Sequence, residues 1–283
     1  MKGKRTFALG AAAVTAAALS ATAVVGAGSA SAAPPAGIPV VTVHVSGSGI
    51  TLPNGNTLHA GRIIFRVTTG KGTHTLQIVR LHRGYSPQQF GSDIGKAFGG
   101  DTAAIGRVDD RATWRGGAET HPNKPGRFAV TLSAGHFFFV DQNSNSVAQV
   151  NVVGTVPDRP TIPVGGKITA FTYGFESMPS TIPADGRIYF FNHSDQPHFL
   201  EMQHVKQSTT AAMVKRALSP TSQSQPTFIL RGSTSSGVNS PGFGQMLKVD
   251  VPPGKYLIAC FWPDRFTGMP HAFMGMWKLI QVG

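Results

Sequence analysis

The feature that most constrains this fold is a repeat, because one pattern of apolar strands, turns and a histidine occurs twice along the chain. Residues 59–65 (HAGRIIF) match residues 184–190 (ADGRIYF), and each copy continues with a polar turn, a histidine and an alternating apolar strand. The histidine is His74 in the first copy and His198 in the second. Since similar patterns form similar units, the repeat predicts two modules of the same architecture.

The later parts of the two copies match as well. Residues 132–139 (LSAGHFFF) correspond to residues 251–258 (VPPGKYLI), and in both a turn glycine precedes an apolar strand. Both copies end in a similar strand, at residues 150–154 (VNVVG) and residues 279–283 (LIQVG). The repeat therefore includes the last two strands of each copy.

A segment rich in proline and glycine separates the two copies. Residues 156–167 (VPDRPTIPVGGK) are typical of a linker, which places one domain at residues 33–155 and the other at residues 168–283. The chain contains 34 glycines and 20 prolines, and this composition favours many short strands joined by turns. The predicted fold class is all-β, with two tandem sandwiches of antiparallel sheets.

Each copy also contains one segment with a helical pattern. Residues 87–94 follow Ser86 and residues 209–218 begin after Ser208. A serine directly before a helix is a favourable N-cap, so we expect a short helical insertion in each sandwich.

The beginning of the chain has the pattern of an export signal. Residues 1–32 contain a positive start, an alanine-rich apolar stretch and the small-residue sequence Ala30-Ser31-Ala32, which is typical of a signal-peptidase site. The prediction is a cleaved signal peptide and a secreted or extracytoplasmic protein. Lys4-Arg5 resembles a twin-arginine signal only loosely, because lysine replaces the first arginine, so we expect Sec rather than Tat export. We predict no transmembrane segment.

The charge of the chain is consistent with several partners but not with nucleic acid. The formal net charge is +12, and removal of the three basic residues of the signal leaves +9. This charge can serve solubility alone, or attract an anionic partner such as an acidic redox protein, a cell-wall polymer or a membrane surface. No basic run with interleaved aromatic residues indicates nucleic-acid binding.

The only cysteine stands close in sequence to other soft metal ligands. Cys260 ends an apolar run, and His271, Met274 and Met276 follow it. A single thiol in an exported chain has no intramolecular disulfide partner. Thiolate, imidazole and thioether ligands together select copper over magnesium, calcium or manganese. The alternatives are an ordinary buried thiol, a surface histidine and core methionines, which are common roles of these residues taken singly.

Four residues in the second copy resemble the copper site of cupredoxins, the family of plastocyanin and azurin. Pro197-His198 lies after an early strand, Cys260 ends a late strand, and the segment His271–Met276 (HAFMGM) matches the ending H-x-x-x-G-M of that family. The resemblance implies Greek-key sandwiches in both copies and one type 1-like copper in the second. It implies His198 and His271 as imidazole ligands, Cys260 as thiolate ligand and Met276 as weak axial ligand.

The second copy departs from the family pattern at two places. Phe199 stands where the family usually has an asparagine that fixes the ligand loops by hydrogen bonds. The loop from Cys260 to His271 is longer than in most small cupredoxins; its closure costs little entropy, but we expect it to be less preorganised. His193 is a second candidate for the first imidazole ligand.

The first copy resembles the same fold without the site. His74 matches His198, but Asp141 stands in place of Cys260, and the residues after it include no histidine and no methionine near the loop. We therefore expect one copper per chain and a structural or partner-binding role for the first domain.

The motifs in the chain favour an electron carrier over an enzyme. None of the ten histidines forms the His-x-His pair that multicopper oxidases need, and Ala259 stands where copper nitrite reductases have a histidine. No G-x-S-x-G or H-E-x-x-H pattern is present. We expect a secreted, non-enzymatic protein that passes one electron to a redox partner. The alternatives are a metal-free binding or structural module of the cell envelope, or a copper storage or delivery protein.

Overall fold

Strands are the predominant regular elements of the computed structural model, which describes residues 37–158, 160–184, 186–219 and 226–283. The predicted signal peptide at residues 1–32 lies outside the described residues and stays a prediction. None of the helices in the described part of the chain is long and apolar enough to cross a membrane.

The described residues of the first half form nine strands, two α-helices and a short 3-10 helix, Asn54–Asn56. The strands are β1 (Val40–Ser46), β2 (Gly49–Thr51), β3 (Thr57–His59), β4 (Gly61–Thr68), β5 (His74–Leu81), β6 (Ala112–Thr120), β7 (Gly126–Leu132), β8 (Gly135–Asp141) and β9 (Val147–Val153). The helices between β5 and β6 are α1 (Pro87–Ala97) and α2 (Thr102–Arg111).

The second half also has nine described strands, with one helix and a short 3-10 helix. The strands are β10 (Gly166–Phe171), β11 (Gly174–Glu176), β12 (Thr181–Ile182), β13 (Arg187–Asn192), β14 (Glu201–Val205), β15 (Thr234–Ser235), β16 (Gly244–Lys248), β17 (Gly254–Ala259) and β18 (Trp277–Val282). Helix α3 is Ala211–Ala217, and the 3-10 helix is His271–Met274.

The two halves have the same strand order. One sheet of the first half runs β2-β1-β4-β7 and the other runs β3-β9-β8-β5-β6. The second half repeats this order as β11-β10-β13-β16 and β12-β18-β17-β14-β15. The parallel pairs also correspond, since β1 pairs with β4 as β10 pairs with β13. The predicted all-β class is confirmed, as are the two Greek-key sandwiches that the resemblance to cupredoxins implied.

The two halves are joined through a shared sheet. Strand β7 pairs with β16 in antiparallel register, Ala129 opposite Met246 and Phe128 opposite Leu247, which makes one eight-stranded sheet. On one face of this joint, Ile64, Ala129 and Met246 pack together. This continuity is consistent with the single compact unit that residues 34–283 form. The division into domains at residues 33–155 and 168–283 stays a prediction.

Aromatic side chains fill the space between the sheets of each sandwich. In the first half, Phe65 stacks on its sheet neighbour Phe128 and meets Phe139 of the facing sheet with ring centroids 5.5 Å apart. Strand β9 alternates exposed and buried residues, as expected for a strand with one face on the core. In the second half, Phe190 and Ile258 are buried in the same apolar core.

The helical insertions are present, with two differences from the sequence prediction. Ser86 caps α1 in a full capping box with Gln89, as expected. The expected N-cap Ser208 is wrong: α3 begins at Ala211, and the Thr210 hydroxyl accepts the hydrogen bond from Met213 N. The first insertion also contains α2, which was not predicted; its N-cap is Asp101.

Candidate metal centre

Three of the four predicted ligands converge on one point. The Nδ1 atoms of His198 and His271 are 3.1 Å apart, and Cys260 Sγ lies 3.5 Å from the first and 3.9 Å from the second. Among the described His, Cys, Asp and Glu residues, this is the one group of three whose ligand atoms all lie within 4.8 Å of one another. All three side chains are buried. A single metal ion can therefore touch both imidazoles and the thiol.

Backbone hydrogen bonds fix the chain segments that carry these side chains. Cys260 directly follows β17, and its carbonyl oxygen accepts a hydrogen bond of 2.7 Å from Ala272 N. His271 N donates to Trp262 O at 2.9 Å. This hydrogen bond closes the loop Phe261–Pro270 between Cys260 and His271, here called the ligand loop. His198 is held by two backbone hydrogen bonds with Asn239, of 3.0 and 2.8 Å.

Met276 reaches the same region because of a left-handed glycine. Gly275 ends the 3-10 helix at φ 106°, a conformation that favours glycine. Met276 N then donates to His271 O at 3.0 Å, and Met276 O accepts from Cys260 N at 3.2 Å. The Met276 side chain is buried. Its backbone thus lies beside two of the converging residues, and its role as axial ligand stays a prediction.

Asp264 organises the long loop between Cys260 and His271. Its carboxylate is buried and accepts hydrogen bonds from Thr267 N at 2.8 Å, Tyr173 Oη at 2.7 Å and Gln196 Nε2 at 3.0 Å. Burial alone would raise the pKa of Asp264, but these donors hold it well below its ordinary value. The longer loop was expected to be less preorganised, and this hydrogen-bonded carboxylate supplies the missing support.

A second polar side chain orients His271. His271 Nε2 lies 3.4 Å from Gln196 Oε1, which also accepts from Arg265 N at 3.0 Å. Because an amide oxygen accepts only, Nε2 carries the proton and the Nδ1 lone pair points toward Cys260. Hydrogen bonds of this kind commonly fix the tautomer of metal-binding histidines. By contrast, His198 Nε2 is buried without a hydrogen-bond partner in the described part of the chain.

Burial makes the three converging groups neutral when no cation is bound. It lowers the pKa of His198 well below its ordinary value, with a further contribution from His271, and it lowers the pKa of His271 to about 4. Burial also raises the pKa of the Cys260 thiol to about 12. A bound cation would lower the pKa of the Cys260 thiol again, because a metal ion stabilises the thiolate and displaces its proton. The donor set of two imidazole nitrogens and one sulfur fits a soft metal ion.

The equivalent place in the first half has different chemistry. His74 Nδ1 lies 2.7 Å from the buried carboxylate of Asp141, the residue that replaces Cys260. The same carboxylate accepts hydrogen bonds from Thr75 N, Asn143 N and Ser144 N. The carboxylate is therefore used to close the turn after β8, where the second half has its ligand loop.

Sequence reasoning identified the converging residues but missed their supports. His193, the alternative ligand, is exposed and stacks with Phe191 instead of joining the cluster. Gln196, Asp264 and Tyr173 were not singled out. The one signal available was the position of Gln196, two residues before His198 in a turn.

The comparisons with known proteins return copper proteins at low similarity. No protein-family model and no curated protein matches the sequence. Among solved structures, the auracyanin of the photosynthetic bacterium Roseiflexus castenholzii is 19% identical, with a TM-score of 0.26 over 41% of this chain and 94% of the auracyanin. The copper-containing nitrite reductase of Thermus scotoductus is 12% identical, with a TM-score of 0.24 over 86% of this chain and 61% of the reductase. These TM-scores are low, so the functional conclusion depends on the geometry of the site.

Proposed function

We propose that this chain is an exported copper-binding protein that transfers one electron at a time. The observation that carries the proposal is the convergence of His198 Nδ1, His271 Nδ1 and Cys260 Sγ within 3.9 Å in a buried site. Two imidazoles and one thiolate with a weak axial thioether, here Met276, are the donors of electron-transfer copper sites. One copper bound there would supply reversible one-electron chemistry.

The residues around the site would keep its geometry constant during this chemistry. Asp264 and Gln196 hold the ligand loop and His271 in place, and Asn192 Nδ2 fixes the turn before His198 by donating to Gln196 O at 2.7 Å and Asn239 O at 2.8 Å. Small ligand movement lowers the cost of changing oxidation state. Burial of the ligands also excludes water from them.

The surface near the site offers a route for a redox partner. The ring of Tyr173 is partly exposed and meets the ring of His271 at 5.4 Å between centroids. Phe266, on the ligand loop, is 72% exposed. Together with the net positive charge of the chain, these residues suit a partner with an acidic surface around an apolar contact.

The proposal is for an electron carrier, without catalysis of its own. It relies on the lack of a His-x-His pair in the sequence and on Ala259 at the place of the histidine of copper nitrite reductases. Two other functions compete with this proposal: a metal-free module of the cell envelope, and copper storage. The test distinguishes all three.

The test is copper reconstitution followed by visible spectroscopy. The mature chain should bind one equivalent of copper, develop strong absorption toward the red end of the spectrum, and lose it reversibly on one-electron reduction. Cys260→Ala should stay colourless, whereas the matched control His193→Ala, at an exposed histidine, should keep the colour. A colourless wild-type protein supports the metal-free module, and weak binding of several copper ions supports storage.

A further inference from the structure

An apolar cavity lies between the two halves, next to the metal centre but outside it. Its volume is about 120 Å³. Helix α1 and strands β5 and β8 form one side, and residues Phe199, Val238 and Trp262 of the second half form the other. The repeat alone gives no sign of this space, because residues from both halves line it.

The lining of the cavity selects an uncharged ring. Most of it is apolar, including Phe90, Ile94, Phe98, Trp114, Phe138 and Trp262. No charged side chain lines it among the described residues, so a charged ligand would be buried without a partner, which is unfavourable. The side-chain amides along it are those of Gln77, Gln142 and Asn145. The Gln77 amide already accepts from Val238 N at 2.8 Å and donates to Gln142 Oε1 at 3.3 Å. The Gln142 amide nitrogen and the Asn145 amide can pair with one hydroxyl or carbonyl group of a ligand.

We propose that this cavity binds a neutral molecule with a single aromatic ring and one hydroxyl or carbonyl group. The volume supports the class, since a dry cavity of about 150 Å³ accepts benzene in another protein. A fused ring system would require the cavity to expand. The proposal goes beyond electron transfer and holds whether or not copper is bound.

A glycine in α1 borders the cavity. Gly91 lines the space, and a Cβ atom placed there would meet no atom within 4 Å. Glycine is less favourable than alanine in the interior of a helix, so the helix gives up stability at this position. Because Gly91 lines the cavity, we expect a long, flexible side chain at this position to reach into it.

The bound ring would contact residues that flank two metal ligands. Phe199 follows His198, and Trp262 lies two residues after Cys260. Trp262 also packs against Trp114 with ring centroids 5.5 Å apart. Since both tryptophans line the cavity, ligand binding is expected to change the intrinsic fluorescence of the protein.

The test uses phenol as probe and benzoate as its charged counterpart, on the full mature chain without copper. Calorimetry should show saturable binding of one phenol per chain, a change in tryptophan fluorescence, and at least tenfold weaker binding of benzoate. Gly91→Met should weaken phenol binding at least tenfold because its side chain fills the cavity. Gly95→Met, one turn further along α1 at a glycine that does not line the cavity, is the matched control and should bind phenol as the wild type does.

Three results would overturn the proposal: no phenol binding by the wild type, equal binding of phenol and benzoate, or unchanged binding by Gly91→Met. Far-UV circular dichroism of both glycine variants confirms that they are folded. Because the measurements are made without copper, their failure is distinguishable from failure of the electron-transfer proposal.

Discussion

Tyr173 is a partly exposed residue next to the candidate metal centre. Its ring meets His271, and its hydroxyl donates to Asp264 at 2.7 Å, so one side chain both covers a ligand and supports the ligand loop. The two contributions can be separated by substitution, since phenylalanine keeps the ring and removes the hydroxyl.

Tyr173→Ala should open the site to small molecules. We expect a strong chelator to remove copper from the reduced variant at least several-fold faster than from the wild type, because solvent then reaches His271. Tyr173→Phe should release copper at close to the wild-type rate. Equal rates for the alanine variant and the wild type would contradict the shielding role of the ring.

Burial of the two histidines should make the metal-free protein sensitive to acid. The pKa of His271 is lowered to about 4 and that of His198 also lies well below 6.5, so the unfolded chain binds more protons than the folded one in this range. The free energy of unfolding therefore has its full value, as far as these histidines are concerned, above about pH 6.5. It falls as pH decreases toward 4, by up to about 1.4 kcal/mol per pH unit for each histidine.

Denaturant unfolding at a series of pH values measures this effect. His271→Gln should reduce the slope of the free energy of unfolding between pH 6.5 and 4, because one titrating group is removed. A variant with the same slope as the wild type would show that His271 is not responsible.

The segment Ser236–Ser240 is the element that couples the two halves next to the site. On one side it pairs with His198 through the isolated bridge between His198 and Asn239. On the other side Gly116 N donates to Val238 O and Gly237 N donates to Gly117 O, both at 2.8 Å. The approach is so close that a Cβ atom on Gly237 would lie 2.1 Å from Gly117 N. The first half therefore helps to position His198 through this shared segment.

Gln245→Leu tests this coupling. The buried Gln245 side chain accepts from Gly117 N at 2.8 Å and donates to Gly237 O at 3.2 Å. Leucine removes both hydrogen bonds: Gly237 O keeps the one from Ser236 Oγ at 2.9 Å, whereas buried Gly117 N loses its side-chain acceptor. We expect a loss of about 1–3 kcal/mol in the free energy of unfolding. The control Gln149→Leu, at an exposed position of β9, should have little effect. A Gln245 variant as stable as its control would contradict the coupling.

The whole molecule combines features that the sequence predicts with features that it does not. The repeat, the order of the strands near His198 and Cys260, and the capping box at Ser86 follow from local patterns of apolar residues, turns and caps. The pairing of β7 with β16 joins segments far apart in sequence, which periodicity cannot reveal. Gln196 and Asp264 act through hydrogen bonds across loops, so their roles depend on tertiary contacts.

The shared sheet predicts that the halves stay together when the chain is cut. A protease site inserted between Thr155 and Asp158, in an exposed segment, should be cleaved without unfolding the protein. The two pieces should then elute together in size-exclusion chromatography, because β7–β16 pairing and the apolar contacts across the cavity persist. Separation of the pieces under native conditions would contradict the structural role of the joint.

The most direct test of the central claim is X-ray absorption spectroscopy of the copper-loaded protein. If Cys260, His198 and His271 hold the ion, the spectrum should require one short copper–sulfur distance and two copper–nitrogen distances of imidazole type, and Cys260→Ala should lose the sulfur contribution. A spectrum that is explained by nitrogen and oxygen ligands alone would contradict the account.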